Sequence, residues 1–332
     1  MSKVEDAVAR LDDVTATRVR PAVTWLRRHG DPADPEPALV RRYLTQGLTA
    51  QPGADVREHH EVAWALGDLF EQAGRGDLAA LCRSPATHES MAVGAWVASF
   101  PAVPAQFWQA ALSAVERTAS VPRRAALSLA SARALLTVVG DGLTLEGGRL
   151  PLSTVTALDD RFRWTEEFPW MRVAGEDDIA PLRILRDHLL AQGLLRLDGD
   201  RLSRSELGRS AADDTVRLWR AVVEPVPRWA HAFEQDALGV MAASVLRSAE
   251  FSLGRIGEEM THVLAERWRP AARDEHGGLF DAAAALAQSW YRLGVPLGWW
   301  DTGRGPADRR PNGFGRAAAV TVLRAVTTRR RG

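Results

Sequence analysis

The chain has 332 residues, with 42 basic and 42 acidic side chains, no formal net charge and a pI of about 7.1. That balance excludes a domain that is basic throughout, the simplest design for binding nucleic acid, and 46% hydrophobic against 25% charged residues excludes an acidic disordered chain. Lys3 is the only lysine and Cys82 the only cysteine, which removes Walker A, pyridoxal Schiff-base, disulfide, Cys-rich zinc and iron–sulfur chemistry.

The length corresponds to two or three domains, each able to bury a core. Residues 1–120 read as a helical bundle. Apolar side chains recur at three- and four-residue spacing in Val4–Leu11, Ala16–His29, Val56–Ala73 and Gln106–Thr118, with Pro32, Pro35 and Pro37 between the second and third. The uncharged stretch Ser90–Val115 is long enough to span a bilayer, but Pro101 and Pro104 divide it into two core helices. Met1–Arg10 contains Glu5 and Asp6 and lacks the apolar run of a signal peptide, so no membrane association and a cytoplasmic location are expected.

Residues 121–220 change character. Pro122–Val139 is a helix, Gly140-Asp141-Gly142 a turn, and Leu143–Leu150 alternates around Gly147-Gly148 as extended chain. Ser153 caps a short helix to Leu158, and Asp177 and Asp178 open a further one, Ile179–Gln192, which Gly193 ends. Leu194–Leu197 and Arg201–Ser203 flank Asp198-Gly199-Asp200 as a β-hairpin. Helix, strand, helix, helix, hairpin is the order of a winged helix. Residues 221–332 repeat its end: helix Leu279–Leu293, strand Val295–Trp300, a Gly/Pro/Arg-rich loop over 301–313 and helix Phe314–Ala325. The expected fold is therefore mainly α, a helical bundle followed by one or two winged-helix-like units with short β-hairpins.

The stretch Gly193-Leu194-Leu195-Arg196-Leu197 through Leu207-Gly208-Arg209 resembles the wing and following helix of bacterial winged-helix proteins. Together with Val4–Leu11, Ala80-Leu81-Cys82-Arg83-Ser84-Pro85 and Gly315–Ala325, it is similar to a group of uncharacterised actinobacterial winged-helix-containing proteins. The resemblance implies a fold and carries no activity with it.

Charge is unevenly distributed. Residues 1–120 hold 12 basic and 15 acidic side chains (−3), residues 121–220 hold 15 of each, and residues 221–332 hold 15 and 12 (+3). Residues 304–332 alone carry eight arginines against Asp308, a balance of +7.

These patterns nominate a DNA-binding surface and a role in transcriptional regulation. Arg183 and Arg186 are expected on the outer face of the third helix, Arg196 and Arg201 on the wing, Arg304, Arg309 and Arg310 in the basic loop and Arg329, Arg330 and Arg331 in the tail, all suited to phosphate contacts. Trp299 and Trp300 are adjacent, and alternation along a strand would turn one ring to solvent or a partner. Asp178 and Asp187 oppose the DNA reading, and so does the long 159–177 connection. The second reading is a module that docks a protein partner or a second copy, and the third an enzyme on a tandem winged-helix scaffold of the glycosylase type. No cofactor or metal is expected. In Glu58-His59-His60-Glu61, Trp64 stands where a zinc motif starting at His60 needs histidine, and the Glu-x-x-His of Glu259–His262 has no second copy. Cys82 reads as a small core hydrophobe.

Overall fold

A computed structural model describes residues 3–49, 56–119, 121–166, 170–224, 232–248, 252–268, 277–301 and 309–329. It is mainly helical, with two small antiparallel sheets. The chain divides into two compact units, one of Met1–Arg117 with Thr327–Gly332, the other of Thr118–Val326.

The first unit contains α1 (Lys3–Val8), α2 (Asp13–His29), α3 (Pro37–Arg42), α4 (Val56–Gln72), α5 (Gly76–Arg83), α6 (Pro85–Ala98) and α7 (Ala105–Arg117). Asp12 caps α2 by accepting from the Val14 and Thr15 N–H groups, and Ser84 caps α6 by accepting from Thr87 N–H. The apolar stripe read in α4 becomes the core: Leu66, Leu69 and Phe70 are fully buried with Val19, Leu26 and Leu44. The 90–115 stretch breaks where its prolines predict, between Ala98 and Ala105. No described helix is long and apolar enough to cross a membrane.

The second unit begins with α8 (Ala125–Ser128) and α9 (Ala130–Val139). The expected continuous helix is interrupted at Leu129, whose φ of −88° and ψ of 3° depart from helical values. Then follow β1 (Leu143–Thr144), α10 (Leu152–Phe162), a 3₁₀ turn Glu176–Asp178, α11 (Ala180–Ala191), β2 (Leu195–Asp198), β3 (Arg201–Arg204), α12 (Glu206–Ala212) and α13 (Thr215–Val223). Pro151, not Ser153, stands at the start of α10, and Ser153 falls inside its first turn. The Asp198-Gly199-Asp200 hairpin forms as read, with Gly199 at φ +59° and Leu197 opposite Leu202. β3 is central in a three-stranded antiparallel sheet of order β1-β3-β2.

The remainder of this unit is α14 (Ala232–Arg247), α15 (Leu253–Leu264), α16 (Gly277–Gly294), β4 (Trp300–Asp301), β5 (Arg310–Pro311) and, as far as Val326, α17 (Gly313–Arg329). The strand expected over Val295–Trp300 is shorter than its sequence suggests, because Val295–Gly298 is a turn and only Trp300–Asp301 pairs, with Arg310–Pro311.

The two hairpins are closed by the same device. In the first, Gly193 (φ +70°) reverses the chain after α11, and the Leu194 carbonyl accepts from Ser205 N–H at 3.0 Å. Ser205 Oγ donates to Gly193 O at 2.5 Å and accepts from Gly208 N–H at 2.9 Å, capping α12. In the second, Gly298 (φ +62°) reverses the chain after α16, and the Trp299 carbonyl accepts from Asn312 N–H at 3.0 Å. Asn312 Nδ2 donates to Gly298 O at 2.8 Å, and its Oδ1 accepts from Phe314 and Gly315 N–H, capping α17. Three residues after each cap stands a glycine, Gly208 or Gly315, where any Cβ would collide with the Leu194 or Trp299 carbonyl. Helix, left-handed glycine, hairpin, polar cap and close-approach glycine thus occur twice in the same order.

Candidate functional site

Three regions of the second unit bear on function: α11 with its hairpin, the Trp299–Arg310 region, and a cavity lined by α11, α14 and α16.

The outer face expected of α11 is only partly open to solvent. Arg183 is exposed, as read, but its Nη1 bonds Asp177 at 3.3 Å, and Arg149 Nε bonds the same carboxylate at 2.8 Å. These guanidiniums, Arg149 first, hold the Asp177 carboxyl below the ordinary aspartate range. Arg186 overturns its expectation. Its side chain is only 8% exposed, and Nη1 donates to Glu176 Oε2 at 2.6 Å, a carboxylate that is itself 0% exposed. Nη1 also reaches Gly148 O, and Nη2 reaches Asp187 at 3.3 Å. The physical reason is placement. Arg186 lies one turn beyond the buried Leu182, on the flank of the apolar stripe, and the 3₁₀ turn sets Glu176 beside it. Burial pushes the Glu176 carboxyl above its ordinary value, while the Leu150 N–H bond and the Arg186 charge pull against that shift. His188 donates from Nε2 to Val222 O at 2.7 Å, and burial lowers the pKa of its ring. A carbonyl can only accept, so Nε2 carries a proton, and burial disfavours a second proton at Nδ1.

Arg196 and Arg201 are exposed on the hairpin, as expected. Arg196 Nε donates to Ser203 at 3.0 Å, and the Arg201 guanidinium lies over Gly142, where a side chain would obstruct it. Asp198 stands directly opposite Arg201 in the ladder, so positive charge at this end is partly offset.

In the basic region, Arg310 is exposed in β5 and Arg309 sits with its guanidinium 5.5 Å from the Tyr291 ring. Arg304, Arg330 and Arg331 lie outside the described residues, as does the side chain of Arg329 at the end of α17. The expectation for the tryptophan pair is overturned: Trp299 is 0% and Trp300 7% exposed, so neither ring is offered to solvent. A two-residue strand does not impose alternation, and both rings turn onto the end of α16. Trp299 lies 4.6 Å from Trp290 and Trp300 lies 5.6 Å from Tyr291, with Trp300 Nε1 donating to Tyr291 O at 3.0 Å. Trp300 also occupies the space a side chain at Gly294 would need.

Facing α11 is a cavity of about 310 Å³. Ile184, His188 and Ala191 supply one wall, Leu238 and Met241 of α14 a second, and Leu286, Trp290 and Leu293 of α16 a third. The wall residues fall at helical spacing (184, 188, 191 and 286, 290, 293), so each helix turns one stripe to the cavity. Arg292 and Ser289 stand exposed at its edge. Sequence reasoning missed this site. The spacing was present, but a stripe facing a cavity reads the same as a stripe facing a core.

Other titratable clusters offer less. His88 Nδ1 lies 3.1 Å from His60 Nδ1 in the first unit, yet among the described residues no group of three or more His, Cys, Asp or Glu side chains converges as a metal site would require. Burial pushes the Cys82 thiol up to about 12, leaving it protonated and inert.

Fold and site together define a mainly helical protein with two capped hairpin–helix units and a mostly apolar cavity. Comparison of the chain with models of known protein families, with curated proteins and with solved structures finds no match.

Proposed function

We propose that the chain is a non-enzymatic binding protein built from tandem winged-helix-like units that dock a protein partner or a second copy of the chain. The repeated hairpin closure and the β1-β3-β2 strand order support the tandem winged-helix reading. The observation that carries the docking reading is the internal use of α11. A DNA-reading winged helix inserts its third helix into the major groove with free base-contacting side chains. Here Arg186 is spent on a buried carboxylate, Arg183 shares Asp177 with Arg149, and α11 packs against α16. Exposed Leu197 on the hairpin, with Leu207 and Val216 on the two helices that follow, offers apolar contacts of the kind a protein partner covers.

A second reading is DNA binding through the hairpin and the basic segment, as in a regulator. It is favoured by the exposure of Arg196, Arg201 and Arg310 and by the +7 balance of residues 304–332. Titration with duplex DNA across a salt series, run beside light scattering on the free protein, separates the two. Docking predicts self-association or capture of a defined partner, weakened by Leu197→Asp, with no binding to DNA at low salt. Salt-dependent DNA binding that Arg196→Ala/Arg201→Ala abolishes, in a strictly monomeric protein, would overturn it in favour of DNA.

A further inference from the structure

The cavity beside α11 has a chemistry that neither docking nor DNA binding uses. Its volume, about 310 Å³, lies at the lower end of the range of small-molecule sites, roughly 300–1,000 Å³, and its walls are mostly apolar, as such sites usually are. No aspartate or glutamate is among its lining residues. The His188 ring donates from Nε2 to the Val222 carbonyl, and burial disfavours its charged form. Gln192 and Ser289 bond backbone carbonyls, Glu224 O at 3.3 Å and Ala285 O at 2.9 Å. That leaves one formal charge on the lining, the guanidinium of Arg292. Arg292 is exposed at the edge and makes no ion pair or hydrogen bond through its side chain among the described residues.

Other arginines on or beside α11 are tied to carboxylates. Arg149, Arg183 and Arg186 all are, through Asp177, Glu176 and Asp187. An unpaired guanidinium at the edge of an apolar cavity without acids is complementary to a molecule with an apolar body and one anionic end.

We infer that this cavity binds a small monocarboxylate of medium alkyl or single-ring size, with the hydrocarbon between α11, α14 and α16 and the carboxylate on Arg292. Arg292 suits this end better than a lysine, since its planar fork takes both carboxylate oxygens. Trp290 and Met241 would give the hydrocarbon a polarizable wall. Ala191, small and exposed, lines the cavity on its α11 side.

The test is calorimetric titration of the whole chain with octanoate, octan-1-ol and octylammonium, which share a chain length and differ in charge. Octanoate is expected to bind saturably at one site, with a Kd on the order of 0.1–1 mM for so few atoms. Octanol should bind about three- to tenfold more weakly and octylammonium more weakly still. Arg292→Gln should remove the margin of octanoate over octanol and leave octanol unchanged. Ala191→Trp should block all three while the thermal midpoint holds, and Ser289→Trp serves if that variant unfolds. Equal affinity for octanoate and octanol, a preference for octylammonium, binding that survives the blocking variant, or no saturable binding would each overturn the inference. None of these outcomes depends on whether the protein docks a partner or binds DNA.

Discussion

The two hairpin–helix units share a skeleton and differ in everything placed on it. The first reverses at Gly193, presents the Leu194 carbonyl to Ser205, and brings in Gly208. The second reverses at Gly298, presents the Trp299 carbonyl to Asn312, and brings in Gly315. Around this frame the first unit fixes its leading helix with a buried ion pair, Arg186–Glu176, and the second with indoles, Trp290 against Trp299. The comparison teaches which positions backbone geometry dictates and which are free to change chemistry. A carbonyl needing a donor, a helix start needing a cap and a contact too close for Cβ recur, while the side chains filling the space do not.

The largest expected break in the comparison is at the ion pair. Arg186→Met leaves the Glu176 carboxylate buried without its cation and should cost about 3–5 kcal/mol in urea denaturation. The Glu176→Gln/Arg186→Met double variant keeps an acceptor for the Leu150 N–H and should recover most of that loss. In the second hairpin–helix unit, Trp290→Phe strands no charge and keeps an aromatic ring, so it should cost less than the single arginine variant. A loss below about 1 kcal/mol for Arg186→Met would mean the pair is hydrated rather than buried.

The glycines come next and test whether the two units are built alike. Gly208→Ala and Gly315→Ala each push a methyl into a backbone carbonyl that cannot swing aside, for about 1–3 kcal/mol apiece. Gly254→Ala, at an open position within α15, is the control and should be neutral or stabilising. If only one of the pair is sensitive, the correspondence between the hairpins is superficial.

The smallest effects belong to the caps. Ser205→Ala and Asn312→Ala each lose a cap and the bond to a left-handed glycine carbonyl, about 0.5–2 kcal/mol by chemical denaturation. Ser205→Asn and Asn312→Ser, which exchange the two solutions, should fall well short of that loss. An exchange as damaging as alanine would show that each cap is specific to its own turn.

Much of the frame is legible in the sequence because it is local. Asp198-Gly199-Asp200 between apolar alternations specifies a hairpin, Gly193 ends a helix, and Pro101 and Pro104 divide an apolar stretch, all within a few residues. The mainly helical class follows from spacing over ten to eighteen residues. The candidate sites were less legible because they depend on distant partners. Sequence spacing puts Arg186 on the outer face of its helix, and only the return of the chain through the 3₁₀ turn makes it a buried cation. Trp299 and Trp300 invite alternation, and only the packing of α16 against a strand of two residues turns both rings inward.

The chain by itself determined its mainly helical class, its first hairpin and the lack of an internal disulfide, since these follow from backbone preference and composition. Tertiary structure alone decided which arginines are spent on carboxylates, which tryptophans are buried, and that stripes on α11, α14 and α16 enclose a cavity. Those outcomes require groups from separate helices to meet, and a helical stripe carries no mark of whether it faces a filled core or an open space.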